Sequence, residues 1–178
     1  MNVWHDLSGD RISPEDFIAV IEISKGSKNK YELDKQTGLL ILDRILYTST
    51  HYPNNYGFIP RTYSEDMDPL DVLVLCTESI QPMAMARCYP IGMIKMVDDG
   101  YNDEKIIAIP FKEPSYNGYT DIEQLPEHIM AEICHFFTVY KELEGKRTAN
   151  ISIHNRETAI ETIKKAREDY CKHFCPGR

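Results

Sequence analysis

The chain has no apolar run long enough for a membrane span, which takes about 20 predominantly apolar residues. The basic-then-apolar opening of an export signal is missing as well: Met1-Asn2-Val3-Trp4-His5-Asp6 turns polar at once. Positive charge is in short supply. Lys and Arg number 20 against 28 Asp and Glu, a net charge of −8, and this argues against a nucleic-acid groove, because phosphate binding is driven by Lys and Arg. Nor is there a paired set of cysteines. The five at Cys76, Cys88, Cys134, Cys171 and Cys175 are odd in number and scattered, the pattern of reduced thiols rather than of a disulfide framework. Cys171-Lys172-His173-Phe174-Cys175 lacks the C-x₂-C spacing and the second pair of ligands that a zinc site would show. These absences predict a cytoplasmic protein with no membrane and no nucleic-acid partner.

What remains is ordinary globular material, 42% hydrophobic and 27% charged over 178 residues. That length is most simply one domain, 1–178, with an adequate core. No repeat, low-complexity tract or linker divides it.

One stretch stands out. Asp66-Met67-Asp68-Pro69-Leu70-Asp71 places three carboxylates at the mouth of the apolar run Val72-Leu73-Val74-Leu75. Pro69 fixes its own φ and favours a rigid turn. Alternation in extended chain lets Asp66 and Asp68 share a side. Three converging carboxylates repel, each pair by roughly 3 kcal/mol at about 5 Å and an effective dielectric near 20. Such oxygen-only ligands suit Mg²⁺ better than zinc. A solvated acidic turn is the rival reading, whereas the calcium-loop pattern is not met, since Leu70 and Asp71 fill its fifth and sixth positions. A second acidic turn, Asp98-Asp99-Gly100-Tyr101-Asn102-Asp103-Glu104-Lys105, follows a long predicted strand over 87–97, bent at Pro90-Ile91-Gly92. If the two turns meet, their aspartates share one rim.

The other segments are less distinctive. Phe17-Ile18-Ala19-Val20-Ile21-Glu22-Ile23 reads as a strand interrupted by one acid, which either meets solvent or faces a polar cavity. Lys30-Tyr31-Glu32-Leu33 and residues 39–45 read as a hairpin turning at Gly38. Residues 51–60 carry the Pro, Asn and Gly of an irregular loop, with three aromatics. Helices are predicted from Leu125-Pro126-Glu127 onward, with a stripe of Ile129, Ile133, Phe136 or Phe137 and Tyr140, and from an Asn155 cap to about His173, with a stripe of Ile160, Ile163, Tyr170 and Phe174. The tail Cys175-Pro176-Gly177-Arg178 is expected to fray.

Taken together, these pieces resemble the soluble family I inorganic pyrophosphatases. Asp66-Met67-Asp68-Pro69-Leu70-Asp71-Val72 looks like the family signature D-x-D-P-x-D-V. Ile21-Glu22-Ile23, Lys30-Tyr31-Glu32, Asp43-Arg44, Tyr52-Pro53 with Tyr56-Gly57, Lys95-Met96 with Asp98, Asp103 with Lys105, and His135-Phe136-Phe137 with Tyr140-Lys141 follow in the family's order. The resemblance runs from about residue 13 to residue 170.

The resemblance implies an α+β, mainly β fold: a five-stranded OB-like β-barrel with two flanking helices. It implies Mg²⁺-dependent hydrolysis of inorganic pyrophosphate to two phosphates, with several ions per active site and no covalent intermediate. By the same resemblance Asp66, Asp71, Asp98, Asp103 and Glu32 are metal ligands, and Asp68 deprotonates the attacking water. Lys30, Arg44, Tyr56, Lys105, Tyr140 and Lys141 hold phosphate oxygens. Glu22 and Tyr52 support the site, and short bacterial members suggest a homohexamer. Two departures stand out. Met67 replaces a small or polar residue, and is strained if that position needs positive φ; Asp99 replaces a common Glu.

Overall fold

The computed structural model describes residues 2–98 and 100–175. Nine strands and two helices make up most of it: β1 (Ile12–Ser13), β2 (Asp16–Ile23), β3 (Asn29–Leu33), β4 (Leu40–Ile45), β5 (Asn55–Phe58), β6 (Asp71–Val74), β7 (Met85–Asp98), β8 (Tyr101–Pro110), β9 (Ala149–Asn155), α1 (Glu127–Val139) and α2 (Arg156–Phe174). The class is α+β and mainly β, as predicted.

Five strands close into a hydrogen-bonded ring. β2 pairs antiparallel with β5 (Val20 opposite Phe58), and β5 with β6 (Gly57 opposite Val72). β6 runs parallel to β8, with Asp71 opposite Lys105. β8 pairs antiparallel with β7, and β7 returns to β2 through Phe17 and Cys88. β9 adds to the free side of β7, while β3 and β4 form a separate hairpin. Closure leaves the five ring strands without a long open edge, whereas β9 and the β3–β4 hairpin keep theirs.

Alternation along the strands sorts the apolar side chains into two layers. Leu73, Ile94 and Ile107 pack with Ile133, Phe136 and Phe137 of α1. Val72, Val74, Met93, Ile106 and Ala108 pack with Ala159, Ile163 and Ala166 of α2. Asn155 caps α2 by accepting from the Thr158 N–H at 3.1 Å, as its sequence position predicted.

Several local expectations need correction. Residues 51–60 are not loop throughout: Asn55–Phe58 is a strand, β5, inside the ring. Its glycine, which read as punctuation, is there for space, since a Cβ on Gly57 would fall 1.9 Å from the Val20 carbonyl oxygen. The second acidic turn is mostly strand as well. β7 and β8 stay paired out to Asp98 opposite Tyr101, so Asp103 and Lys105 stand on β8. The predicted bend in β7 is a register shift between Pro90 and Gly92. On α1 the half-buried Ile129 gives its stripe position to buried Met130, and on α2 the buried face is Ala159, Thr162, Ile163, Ala166 and Tyr170, with Phe174 exposed. Asp99 and the tail residues 176–178, on which two expectations rested, lie outside the described residues.

Candidate active site

The register of the ring assembles a charged cluster at one end. Asp71 opens β6 directly opposite Lys105 of β8, and Asp103 lies two residues before Lys105, on the same face. β7 brings up Asp98 at its last position. The turn before β6 is folded on itself: the Met67 N–H donates to the Ser64 carbonyl, the Ser64 N–H to the Asp68 carbonyl, and the Asp68 N–H to Asp66 Oδ1 at 3.1 Å. That turn requires Met67 at φ 66°, the left-handed region, which costs a non-glycine residue roughly 1–2 kcal/mol. The Met67 side chain points outward, 64% exposed, so the departure strains the backbone without disturbing the cavity.

A cavity of about 310 Å³ results, and twelve of the fourteen predicted site residues line it: Glu22, Lys30, Glu32, Tyr56, Asp66, Asp68, Asp71, Asp98, Asp103, Lys105, Tyr140 and Lys141. Arg44 and Tyr52 do not line it, although Arg44 stands opposite Lys30 on the hairpin. Tyr52 is buried, with its ring 5.3 Å from Tyr56 and 4.7 Å from Phe136. Seven carboxyl groups face four ammonium groups in the lining, an acidic excess of three. Among the described lining residues there is no His and no Cys.

Lys105 is the hub. It is 2% exposed, and its Nζ donates to Asp71 Oδ2 at 2.7 Å, Asp103 Oδ1 at 3.0 Å and Tyr56 Oη at 2.8 Å. The Tyr56 hydroxyl donates to the same Asp71 oxygen at 2.5 Å. The ammonium also stands 5.3 Å from the Phe137 ring centre. Burial alone would lower the Lys105 pKa, but the charges of Asp103 and Asp71 outweigh it and hold the ammonium charged.

The remaining cations are tied in the same way. Lys141 contacts Asp98, and Lys30 contacts Glu32 and lies 3.4 Å from Asp43. Arg44, on β4 opposite Lys30, pairs with Asp43 and, at 2.8 Å, with Glu144. Sequence reasoning missed Lys35, whose ammonium contacts Asp68 and donates to the Met67 carbonyl at 3.2 Å. It also missed the partners Asp43 and Glu144. No local signal marks Lys35 or Glu144, since each lies in a turn that the fold, not the strand period, directs to the site.

The acids show the strain of the charge excess. Burial first, and then Asp71, push the Glu22 carboxyl up to about 8, although it accepts from the Leu33 N–H at 2.9 Å. Asp66 is pushed up to about 6 by burial and Asp71, and Asp103 is raised by burial against the pull of Lys105. As the side chains stand, the described residues contain no ready-made cage of three or more acid, His or Cys ligands. The donor chemistry nevertheless fits hard divalent cations, being all oxygen and short of positive charge. A phosphate-rich anion fits beside them, on Lys30, Lys141 and the tyrosines.

The profile described as "Inorganic pyrophosphatase" matches residues 19–171. The chain belongs to the inorganic pyrophosphatase family. It is 49% identical over 175 residues to soluble inorganic pyrophosphatase 2 of Chlamydomonas reinhardtii, covering 98% of this chain and 91% of that one. Against soluble inorganic pyrophosphatase 1 of Arabidopsis thaliana it is 48% identical, covering 96% and 81%. The structure of the Thermus thermophilus inorganic pyrophosphatase superposes with a TM-score of 0.90 at 36% identity, over 96% of this chain and 99% of that one. That of the Helicobacter pylori enzyme gives 0.87 at 39%, over 93% and 98%. The chain is an inorganic diphosphatase that hydrolyses inorganic pyrophosphate. Enzymes of this family generally use divalent metal ions.

Proposed function

We propose that the cavity binds several Mg²⁺ ions on Asp66, Asp71, Asp98, Asp103 and Glu32, together with pyrophosphate on Lys30, Arg44, Tyr56, Lys105, Tyr140 and Lys141. The observation that carries this is the excess of three carboxyl groups over ammonium groups in one cavity. Bound there, Mg²⁺ supplies neutralisation of the phosphoryl oxygens and a more acidic water.

The side chains supply the rest. Asp68 sits at the mouth between two ligand aspartates and is half exposed, so its carboxylate is placed to take a proton from an incoming water. Lys30, on β3, and Lys141, just past α1, hold the two phosphoryl groups apart and fix their alignment, which phosphoryl transfer needs more than covalent help. Lys105 keeps Asp71 and Asp103 close despite their repulsion. Glu22 anchors the β3–β4 hairpin through the Leu33 N–H, and Tyr52 backs Tyr56. No Ser, Cys or His nucleophile lines the cavity among the described residues, in keeping with direct attack by water and no covalent intermediate.

The closed ring supports reading the fold as an OB-like barrel and the chain, 1–178, as one pyrophosphatase domain. Five free cysteines support a cytoplasmic, reducing setting. The resemblance to short bacterial members supports a homohexamer, which light scattering tests directly. The central assay is phosphate release from pyrophosphate: turnover with Mg²⁺, none after EDTA, and none with Ca²⁺, whose looser geometry misplaces the water. Full activity in EDTA would overturn the reading.

A further inference from the structure

Arg44 is reached from two sides. Its β4 position is opposite Lys30 of β3, and directly opposed residues in an antiparallel pair share a face, so Arg44 stands on the hairpin face that lines the cavity through Lys30. Asp43 takes its Nη1, and Glu144 lies 2.8 Å from its Nε. The part of the guanidinium fork that neither carboxylate takes is Nη2.

Glu144 comes from the segment that follows α1. It lies three residues past Lys141 and four past Tyr140, both of which line the cavity. The intervening turn is tight: the Glu144 N–H donates to the Lys141 carbonyl at 3.0 Å, the Gly145 N–H to the Glu142 carbonyl at 3.0 Å, and Gly145 closes it at φ 75°. The turn that presents Lys141 therefore also fixes the Glu144 backbone. The carboxylate is 12% exposed, and its second oxygen is buried with no protein partner. An unsatisfied buried oxygen costs stability, so packing does not account for this residue. Among the described residues its side-chain partner is Arg44, and the Nε–H is not aligned on the oxygen, which makes the contact an ion pair rather than a hydrogen bond.

We propose that Glu144 is a positioning residue for pyrophosphate binding, holding the Arg44 guanidinium between the hairpin and the end of α1 so that its free edge meets a phosphate group. The inference rests on the reading of Arg44 as a phosphate-binding side chain. Glu144 touches no substrate itself; it acts through Arg44.

The test is a double-mutant cycle with Glu144→Ala, Arg44→Ala and the double variant, measuring kcat, KM for pyrophosphate and melting temperature in Mg²⁺. Glu144→Ala is expected to raise KM about fivefold or more with kcat within about twofold, since the interaction lost is made in ground state and transition state alike. Arg44→Ala is expected to raise KM further, and the double variant to match Arg44→Ala. Glu144→Gln, which keeps the shape and one oxygen but not the charge, should fall between parent and Glu144→Ala. The proposal is overturned if Glu144→Ala leaves KM unchanged whatever its melting temperature, or if its effect multiplies in full onto that of Arg44→Ala. If Arg44→Ala itself leaves KM unchanged, the substrate-binding reading of Arg44 fails and takes the proposal with it.

Discussion

Strand β8 contains two unlike environments a few ångströms apart. Ile106, Ile107, Ala108 and Ile109 are 0% exposed, sandwiched between the helices, and their burial removes apolar area from water at about 25 cal/mol per Å². Just before them, buried Lys105 and partly buried Asp103 are charged, and desolvating charges returns little or no net stability even when they are paired. The apolar half needs no ligand to hold it. The charged end is poised for one, because its acids outnumber its amines and two of them, Glu22 and Asp66, are held well above the ordinary carboxylate range. Stability sits in one half of the ring strands and chemistry in the other.

The comparison can be broken most sharply at its boundary. Lys105→Met removes the only ammonium between Asp71 and Asp103 among the described residues and leaves buried charges uncompensated. Loss of one partner of a buried pair costs about 3–5 kcal/mol, so urea unfolding in EDTA should show a loss of this size, partly recovered in Mg²⁺. On the apolar side, Ile107→Ala should cost about 2–5 kcal/mol, equally in EDTA and Mg²⁺, while kcat of the folded fraction stays near the parent. If both variants responded alike to Mg²⁺, the division between the halves would not exist.

A second effect distinguishes the halves by pH. The folded Glu22 pKa of about 8 lies above its ordinary value of 4.5, so between these pH values the folded chain holds a proton that the unfolded chain does not. The linked stability is then present at low pH and lost as pH rises through about 8. The melting temperature of the EDTA-treated protein should fall over that window, and Glu22→Gln should flatten the fall. The smallest effect belongs to the turn: Met67→Gly relieves the left-handed strain at φ 66° and should stabilise by about 0.5–1 kcal/mol, somewhat less than the strain because glycine loses more freedom on folding.

How much of this could be read from the chain depends on the range of the interactions. The 66–71 cluster was legible because its carboxylates are neighbours in sequence and a proline fixes their turn. The meeting of Asp71 with Asp98 and Asp103 was legible only as a conditional, since parallel pairing of β6 with β8 sets it. β5 was misread because the Pro, Asn and Gly that usually mark a loop here flank and enter a central strand, where Gly57 serves close approach to Val20. Lys35 and Glu144 were missed because their side chains are aimed by turns. The Phe174 position was misjudged because at the end of α2 its ring packs against Trp4 and Tyr170 from outside and stays 38% exposed.

The most direct test of the division between stability and chemistry is Asp68→Asn, which keeps the side-chain shape and removes the proton acceptor. Phosphate release measured against Mg²⁺ concentration, with thermal unfolding of the same sample, gives both readouts. Loss of general-base assistance predicts a fall in kcat of about 10²–10⁴-fold, with the melting temperature at or slightly above the parent's and Mg²⁺ affinity far less affected than in Asp71→Asn. A kcat within a few-fold of the parent would contradict the account and leave Asp68 as a solvated turn residue held by Lys35.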